Sequence, residues 1–224
     1  MALIGATIKG GTITSPPLAI GDAYGGGFYA GQISTAGNGV ADYNLVVAPV
    51  SSGESSSRSW KTSNTSTAGT SSVIDGPTNS SNMNDASHPA AQFCEGLTIG
   101  GFSDWYMPAK NELEVCYYNL KPTTQSNVSS IGVFPVGVNT NAVPSRGSAY
   151  TSGTPAQTSA SAFQSGGAEA FETSLGYYWS STQTTGIPNS YNWAWRQYFF
   201  NGQQFYNNKA NYYFKVRAVR RVAV

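Results

Sequence analysis

The chain has 224 residues and a formal charge of +1, with only 10% charged residues against 40% hydrophobic and 13% aromatic. That length supports one good hydrophobic core, and so sparse and balanced a charge leaves no electrostatic footing for nucleic acid or an anionic membrane. A charged fraction far below the roughly 25% of average soluble proteins means a surface of Ser, Thr, Asn, Gln and Tyr, the habit of extracellular β proteins and virion parts.

Residues 1–19 are a Gly/Thr/Ile stretch closed by Pro16-Pro17. Ile4, Ile8, Ile13 and Leu18 are too sparse to core a domain, so the stretch reads as an arm pairing with another chain or subunit, or as a frayed terminus. It lacks the basic region and long apolar run of a secretory signal. No window approaches the ~20 apolar residues of a membrane span, so no membrane insertion is expected. A binding domain is expected over residues 20–224. Gly25-Gly26-Gly27 invites a phosphate-loop reading, but the spacing fits neither GxGxxG nor GxxxxGK[ST] and no helical pattern follows. The glycines read as a bulge or close strand packing. Phe28–Ile33 reads as a strand, Gly37-Asn38-Gly39 as a turn, and Tyr43–Pro49 as a second strand. Ser51–Ser72 is Ser/Thr-rich and predicts a surface loop pinned by Trp60.

Asn84–Pro89 offers capping residues and an early proline, and Ala90, Ala91, Phe93, Cys94 and Leu97 follow at helical spacing until Gly100-Gly101. A second helix is predicted from about Lys110 to Leu120, with Leu113, Cys116, Tyr117 and Leu120 on one buried face and Lys121-Pro122 as its stop. Glu112 and Glu114 sit where the helix dipole favours acid, a reading that outweighs a glycosidase carboxylate pair. His88 is the sole histidine, which leaves a His-based metal site or Ser-His-Asp triad little to draw on, and it is expected to be structural. Cys94 and Cys116 read as buried free thiols, with a single bridge between packed helices as the alternative.

Thr123–Gly176 is long and Ser/Thr/Gly/Pro-rich, with scattered apolar points (Ile131, Val133, Phe134, Val136, Val138) and a helical turn expected between Phe163 and Phe171. Beyond it, Trp193–Phe200 alternates as a strand, Asn201-Gly202 signals a two-residue hairpin, and Gln203–Tyr206 returns. Asn207–Asn211 then turns into Tyr212–Val222, giving a predicted meander of two hairpins. Arg217, Arg220 and Arg221 on the last strand fit an anion site or, more in keeping with strand-borne arginines, buried or inter-subunit pairs with Asp or Glu.

Several of these segments together resemble one family. They are Gly21-Asp22-Ala23-Tyr24-Gly25-Gly26-Gly27, Ala90-Ala91-Gln92-Phe93-Cys94, and Gly100-Gly101-Phe102-Ser103-Asp104-Trp105-Tyr106-Met107-Pro108 continuing to Leu113. Tyr178-Trp179-Ser180-Ser181-Thr182, Ala194-Trp195 and Val216-Arg217-Ala218-Val219-Arg220 complete the set. From about Ile20 to Val222 the chain is similar to the C-terminal domain of collagen-like bacterial adhesins (Lcl type) and of many phage tail fibres. The resemblance implies an α+β, C-type-lectin-like fold, with two helices packed on antiparallel sheets and long irregular loops. It also implies trimerisation and binding of carbohydrate or host surfaces, without an established catalytic activity. Ala109 departs from the family's Thr or Ser helix cap, a loss expected to cost about 1 kcal/mol. The fold also resembles formylglycine-generating enzymes, but those need an exposed reactive cysteine, whereas Cys94 and Cys116 fall on apolar helix faces. Ile187-Pro188-Asn189 is similar to a lectin calcium motif without the neighbouring acids, so neither metal nor cofactor is expected. A looser resemblance is to phage tropism determinants whose Asn codons are diversified by retroelements.

The expected function is therefore recognition: a non-enzymatic tail-fibre or receptor-binding protein on the virion exterior, a homotrimer attached to other virion proteins through residues 1–19. The alternative is a decoration or baseplate protein using the same face for protein contacts. The host-surface glycan or protein is expected to meet Tyr191, Asn192, Trp195, Arg196, Tyr198, Asn201, Gln203, Gln204, Tyr206, Asn207, Asn208, Asn211 and Tyr212. Tyrosine buries area at low entropic cost and Asn adapts its hydrogen bonds, the palette that paratopes favour.

Overall fold

The computed structural model describes residues 17–224, so the predicted arm lies outside the described residues apart from Pro17, Leu18 and Ala19. The order is β1 (Ala23–Tyr24), β2 (Gly27–Ile33), β3 (Tyr43–Val47), α1 (Val50–Gly53), β4 (Glu54–Ser59), α2 (Gly76–Ser81), α3 (Pro89–Glu95) and α4 (Lys110–Leu120). Then come β5 (Ser130–Ile131), β6 (Phe134–Pro135), β7 (Ala142–Val143), β8 (Tyr177–Gln183), β9 (Trp193–Tyr198), β10 (Gln204–Asn208), β11 (Tyr213–Arg217) and β12 (Val219–Ala223). The class is α+β, as expected. The two expected helices are α3 and α4, and two short ones join them. In α2, Asp75 caps the first turn by accepting from the Thr78 amide, with Pro77 beside it, a legitimate start signal.

The first sheet runs β1-β2-β3-β12, with β7 also paired to β2. Gly27 has its role here: a Cβ would lie 2.3 Å from the Val47 carbonyl of the neighbouring strand. The second sheet runs β10-β9-β8-β11-β4. Here three expectations fail. Glu54–Ser59, assigned to a loop, is an edge strand paired with β11; a Ser-rich run has little intrinsic strand preference, and tertiary pairing overrides it. Trp60 does pin its end, fully buried with its indole N–H donating to the Ser180 carbonyl at 2.9 Å.

The β9–β10 hairpin forms, but through a four-residue turn, since the Tyr198 amide meets the Gln203 carbonyl. Phe199 is drawn into the core between Phe171 and Tyr178, and that burial lengthens the turn beyond Asn201-Gly202. The second hairpin does not form. β11 inserts between β8 and β4, parallel to β8, because Phe214 and Val216 find their apolar partners there. Ala218 then breaks the strand, exchanging backbone hydrogen bonds with Ala48 and Gly53, and β12 crosses into the first sheet beside β3.

Two buried clusters fill the interior. One gathers Ile33 and Leu45 with Leu113, Cys116, Tyr117 and Leu120 of α4, and Phe171, Tyr178 and Phe199. The other gathers Trp60, Ala90, Ala91, Cys94, Trp105, Trp179 and Val216. Burial of a large apolar side chain contributes about 1.5–3 kcal/mol, so this aromatic interior is the main source of stability. Both cysteines are free and buried, and burial pushes both thiols up.

Helix α4 corrects one expectation. Ala109 offers no side-chain oxygen, yet the Lys110 amide donates to Thr182 Oγ1 of β8 at 2.9 Å and the Asn111 amide to the Val73 carbonyl at 2.8 Å. The missing cap is thus replaced from elsewhere in the chain. Glu112 returns only its half of the capping box, accepting from the Ala109 amide at 2.8 Å. Glu112 stands in the first turn of α4, where the helix dipole favours acid, and both Glu112 and Glu114 are fully buried. Glu112 also accepts from Tyr106 Oη at 2.6 Å and Arg221 Nε at 2.8 Å. Burial raises its pKa and Arg221 opposes the rise. Glu114 binds Arg146, Asn139 and Tyr150 Oη of the middle region.

That middle region is held by buried polar side chains. Asn127 accepts from Tyr117 Oη and donates to the carbonyls of Thr151, Ser152 and Pro155. Lys121, also buried, donates to the Gln125 and Pro155 carbonyls. The expected turn between Phe163 and Phe171 falls earlier, as a 3-10 turn at Ser161–Phe163. His88 is structural, as expected. It is the N-cap residue of α3, its ring contacting Asp85 Oδ1 at 2.9 Å and Thr67 Oγ1 at 2.8 Å. No helix among the described residues is long and apolar enough to cross a membrane.

Candidate functional site

Strand alternation divides the expected binding residues. On one face of the β9–β10 hairpin, Trp193 and Trp195 flank Tyr206, with ring centroids 5.8 and 5.6 Å apart, both edge-to-face. Tyr206 pairs across the ladder with Trp195, Asn208 with Trp193, and Gln204 with Gln197. On the opposite face Arg196 stacks over Tyr177 at 4.2 Å. Tyr177 in turn packs on Tyr198 at 4.4 Å and on Phe214 at 5.1 Å. Arg196 Nε donates to Asn207 Oδ1 at 2.9 Å. By strand alternation Trp195 and Tyr206 fall on one side and Arg196, Tyr198 and Asn207 on the other, while Tyr206, on the edge strand, also stacks on its neighbour Phe205 at 4.4 Å.

The remaining residues sit at the two ends. Asn201 and Gln203 belong to the β9–β10 turn, where Asn201 Oδ1 accepts from the Gln203 amide. At the other end Tyr191 Oη donates to Asn189 Oδ1, and the Asn192 carbonyl accepts from the Lys209 amide. Asn208 Oδ1 accepts from the amides of Ala210 and Asn211, and Asn211 Oδ1 accepts from Asn64 Nδ2 at 3.5 Å. Tyr212 packs on Phe214 and stays exposed. Much of the Asn richness therefore builds turns, as Asx side chains do.

The Trp195 face continues into a groove of about 290 Å³ lined by Lys110, Phe134, Pro135, Val138, Trp195 and Gln204. The Lys110 ammonium lies 4.4 Å above the Trp195 ring. Burial lowers the Lys110 pKa, against the pull of Glu114. Trp193 could have been found in the sequence as the i, i+2 companion of Trp195. Lys110 and Phe134 could not, since α4 and the β5–β6 hairpin bring them in from distant positions. Two indoles, a phenol, a cation and Gln204 can supply stacking surfaces and hydrogen-bond donors. They hold no nucleophile–base pair.

Beneath the turn at this end lies Lys209, fully buried, its ammonium 4.3 Å from the Trp60 ring and bonded to the Thr65 carbonyl and Gln183 Oε1. Burial, with a lesser push from Lys61, lowers its pKa to about 7. The last-strand arginines resolve as intramolecular ion pairs: Arg217 with Glu169 at 2.8 Å, Arg220 with Asp104 at 2.7 Å and Arg221 with Glu112 at 2.8 Å.

Frame and face together define a class: a small α+β domain that displays an aromatic, nearly uncharged strand surface on an ion-paired scaffold. The chain belongs to the Lcl C-terminal domain family, whose profile matches residues 54–220. The match begins past the Gly21–Gly27 segment, so the family assignment rests on the helices and the C-terminal strands. No curated protein and no solved structure matches the chain significantly.

Proposed function

We propose that this chain is the receptor-binding domain of an adhesin-type appendage, of the kind borne at phage tail-fibre tips, with a C-type-lectin-like fold and a trimeric assembly. In this reading residues 1–19 join it to other virion proteins, and it works on the virion exterior without catalysis. The ligand is a host-surface glycan or protein that meets the Trp193–Trp195–Tyr206 face and the adjoining groove. One observation carries the proposal: three half-buried aromatic rings stand together on a face with a cation and an amide at their edge. Such rings supply a large contact area at low entropic cost. Labelled protein should bind host cells, and Trp195→Ala or Tyr206→Ala should weaken that binding by roughly tenfold or more while the melting temperature stays nearly unchanged. Undiminished binding by both variants would sink the proposal.

A decoration or baseplate role is favoured by a different observation. Leu175 is 77% and Tyr213 65% exposed, beside Phe214 in a groove of about 330 Å³, and exposed apolar patches of this kind mark protein contacts. Locating the protein within the particle separates the two: a distal position fits recognition, an internal one scaffolding.

A further inference from the structure

The sequence contains two Asn-Gly pairs, Asn38-Gly39 in the β2–β3 turn and Asn201-Gly202 in the β9–β10 turn. Asparagine before glycine is chemically labile, because no Cβ on the glycine shields its backbone nitrogen from the asparagine side chain. The two pairs are matched in local geometry. Gly39 has a φ of +81° and Gly202 one of +79°. Each asparagine Oδ1 accepts from the amide two residues on, Val40 at 3.0 Å and Gln203 at 3.2 Å. Any difference in their reactivity therefore comes from the surrounding fold.

Those surroundings are opposite. Asn38, Gly39 and Val40 are all exposed, and a Cβ placed on Gly39 would meet nothing within 4 Å. The Gly39 amide has no backbone acceptor among the described residues. Asn38 Oδ1 takes a second hydrogen bond, from Ser34 Oγ at 2.8 Å. Two donors are thus already aimed at the oxygen on which charge grows when the side-chain carbonyl is attacked. Gly202, by contrast, is buried, and a Cβ there would lie 2.5 Å from the Tyr117 ring. Its amide donates to the Tyr198 carbonyl at 2.9 Å, and its carbonyl accepts from Gln197 Nε2 at 2.8 Å. The Asn201 carbonyl accepts from the Val128 amide at 2.9 Å. For Gly202 to attack, its amide must leave Tyr198 and the turn must come away from Tyr117, a local opening that adds to the barrier.

We infer that Asn38 is a site of spontaneous deamidation in the folded protein, and that the fold protects Asn201. The Gly39 nitrogen gives up its proton and bonds to Asn38 Cγ; the Cγ–Nδ2 bond breaks, and Nδ2 leaves with a proton as ammonia. Water then opens the cyclic imide at one of its two carbonyls, giving aspartate or isoaspartate at position 38. Either product adds one negative charge and takes the formal charge of the chain from +1 to 0. The change falls in the turn between two strands of the first sheet, whereas β9 lies in the second. The test is to age the whole chain in mildly alkaline buffer, folded and in urea, and to follow each asparagine by peptide mass mapping for replacement of its amide nitrogen by oxygen. In the folded chain Asn38 should convert roughly tenfold faster than Asn201 or more, tenfold being what about 1.4 kcal/mol of added barrier gives. In urea, where both pairs lose their surroundings, the two rates should agree within about threefold. Asn38→Ser, an exposed change, should remove the acidic band that isoelectric focusing shows in the aged folded protein. The inference fails if folded Asn201 converts as fast as Asn38, or if Asn38 converts only in urea. It fails equally if the acidic band persists in the Asn38→Ser variant.

Discussion

Two arginine-bearing strands of this protein handle charge in opposite ways. On and beside β12, Arg217, Arg220 and Arg221 each meet a carboxylate at 2.7 or 2.8 Å. On β9, Arg196 is only 9% exposed yet has no acid partner among the described residues; it lies on Tyr177 with Nη1 unmatched. Burial lowers its pKa to about 10. The first arrangement locks segments distant in sequence to one another, because a guanidinium and a carboxylate taken out of water together must stay together. The second leaves a strand whose surroundings are aromatic and whose fixed charges are few. The lesson is a division of labour: ion pairs weld the frame around β12, and stacked rings furnish the sheet that carries β9.

Breaking the frame should have the largest effect. Glu112→Ala removes the acceptor of Arg221, Tyr106 and the Ala109 amide at once, and leaves the mostly buried Arg221 guanidinium without its carboxylate, held only by the Ile74 carbonyl. The expected cost is about 3–5 kcal/mol in urea unfolding, with binding lost only as the fold is lost. Arg196→Met, by contrast, should leave stability within about 1 kcal/mol of the parent or raise it, since no buried carboxylate is stranded.

Lys209 gives the comparison a pH axis. Its folded pKa of about 7 lies below the 10.5 of an unfolded lysine. Between these values the unfolded chain holds a proton that the folded chain does not, so stability should rise as pH rises from 7 towards 10. Below pH 7 both states are protonated and the full penalty of burying the ammonium remains. Lys209→Met should flatten that rise, with a gain at pH 6 on the order of 2–3 kcal/mol, read from melting curves across pH. A parent curve that falls steadily from pH 7 to 9 would contradict this.

The helix start offers the smallest effect. Thr182→Ala should cost about 1 kcal/mol by removing the hydroxyl that the Lys110 amide uses, and Ala109→Ser should recover only part of that.

How much of this was legible in the sequence follows the same division. Helices α3 and α4, strands β2 and β3, and the pairing of strand arginines with acids were readable, because periodicity and chemistry there are local. The family was readable from ordered motifs around Trp105, Trp179 and Arg217. The Ser-rich β4 was not, since its strand state comes from β11. Nor was the parallel insertion of β11, because the pull of Phe214 and Val216 towards the core lies outside any turn rule. The candidate face was half legible. Trp195 and Tyr206 were named, but treating the Asn and Tyr richness of residues 191–212 as a single surface overlooked the alternation that separates Trp195 from Arg196. It also overlooked how many of those Asn side chains serve turns. Lys110 and Phe134 come from other elements and left no signal in the stretch itself.

The central claim, that recognition belongs to one face of β9, is tested most directly by mutating opposite faces of the same strand. Trp195→Ala and Tyr198→Ala change residues that are both half-buried, but their side chains leave the sheet on opposite sides. Measured side by side for binding to host cells, Trp195→Ala should lose roughly tenfold or more while Tyr198→Ala stays within about twofold of the parent. Loss by Tyr198→Ala with Trp195→Ala unchanged would move recognition to the Arg196 face and contradict the account.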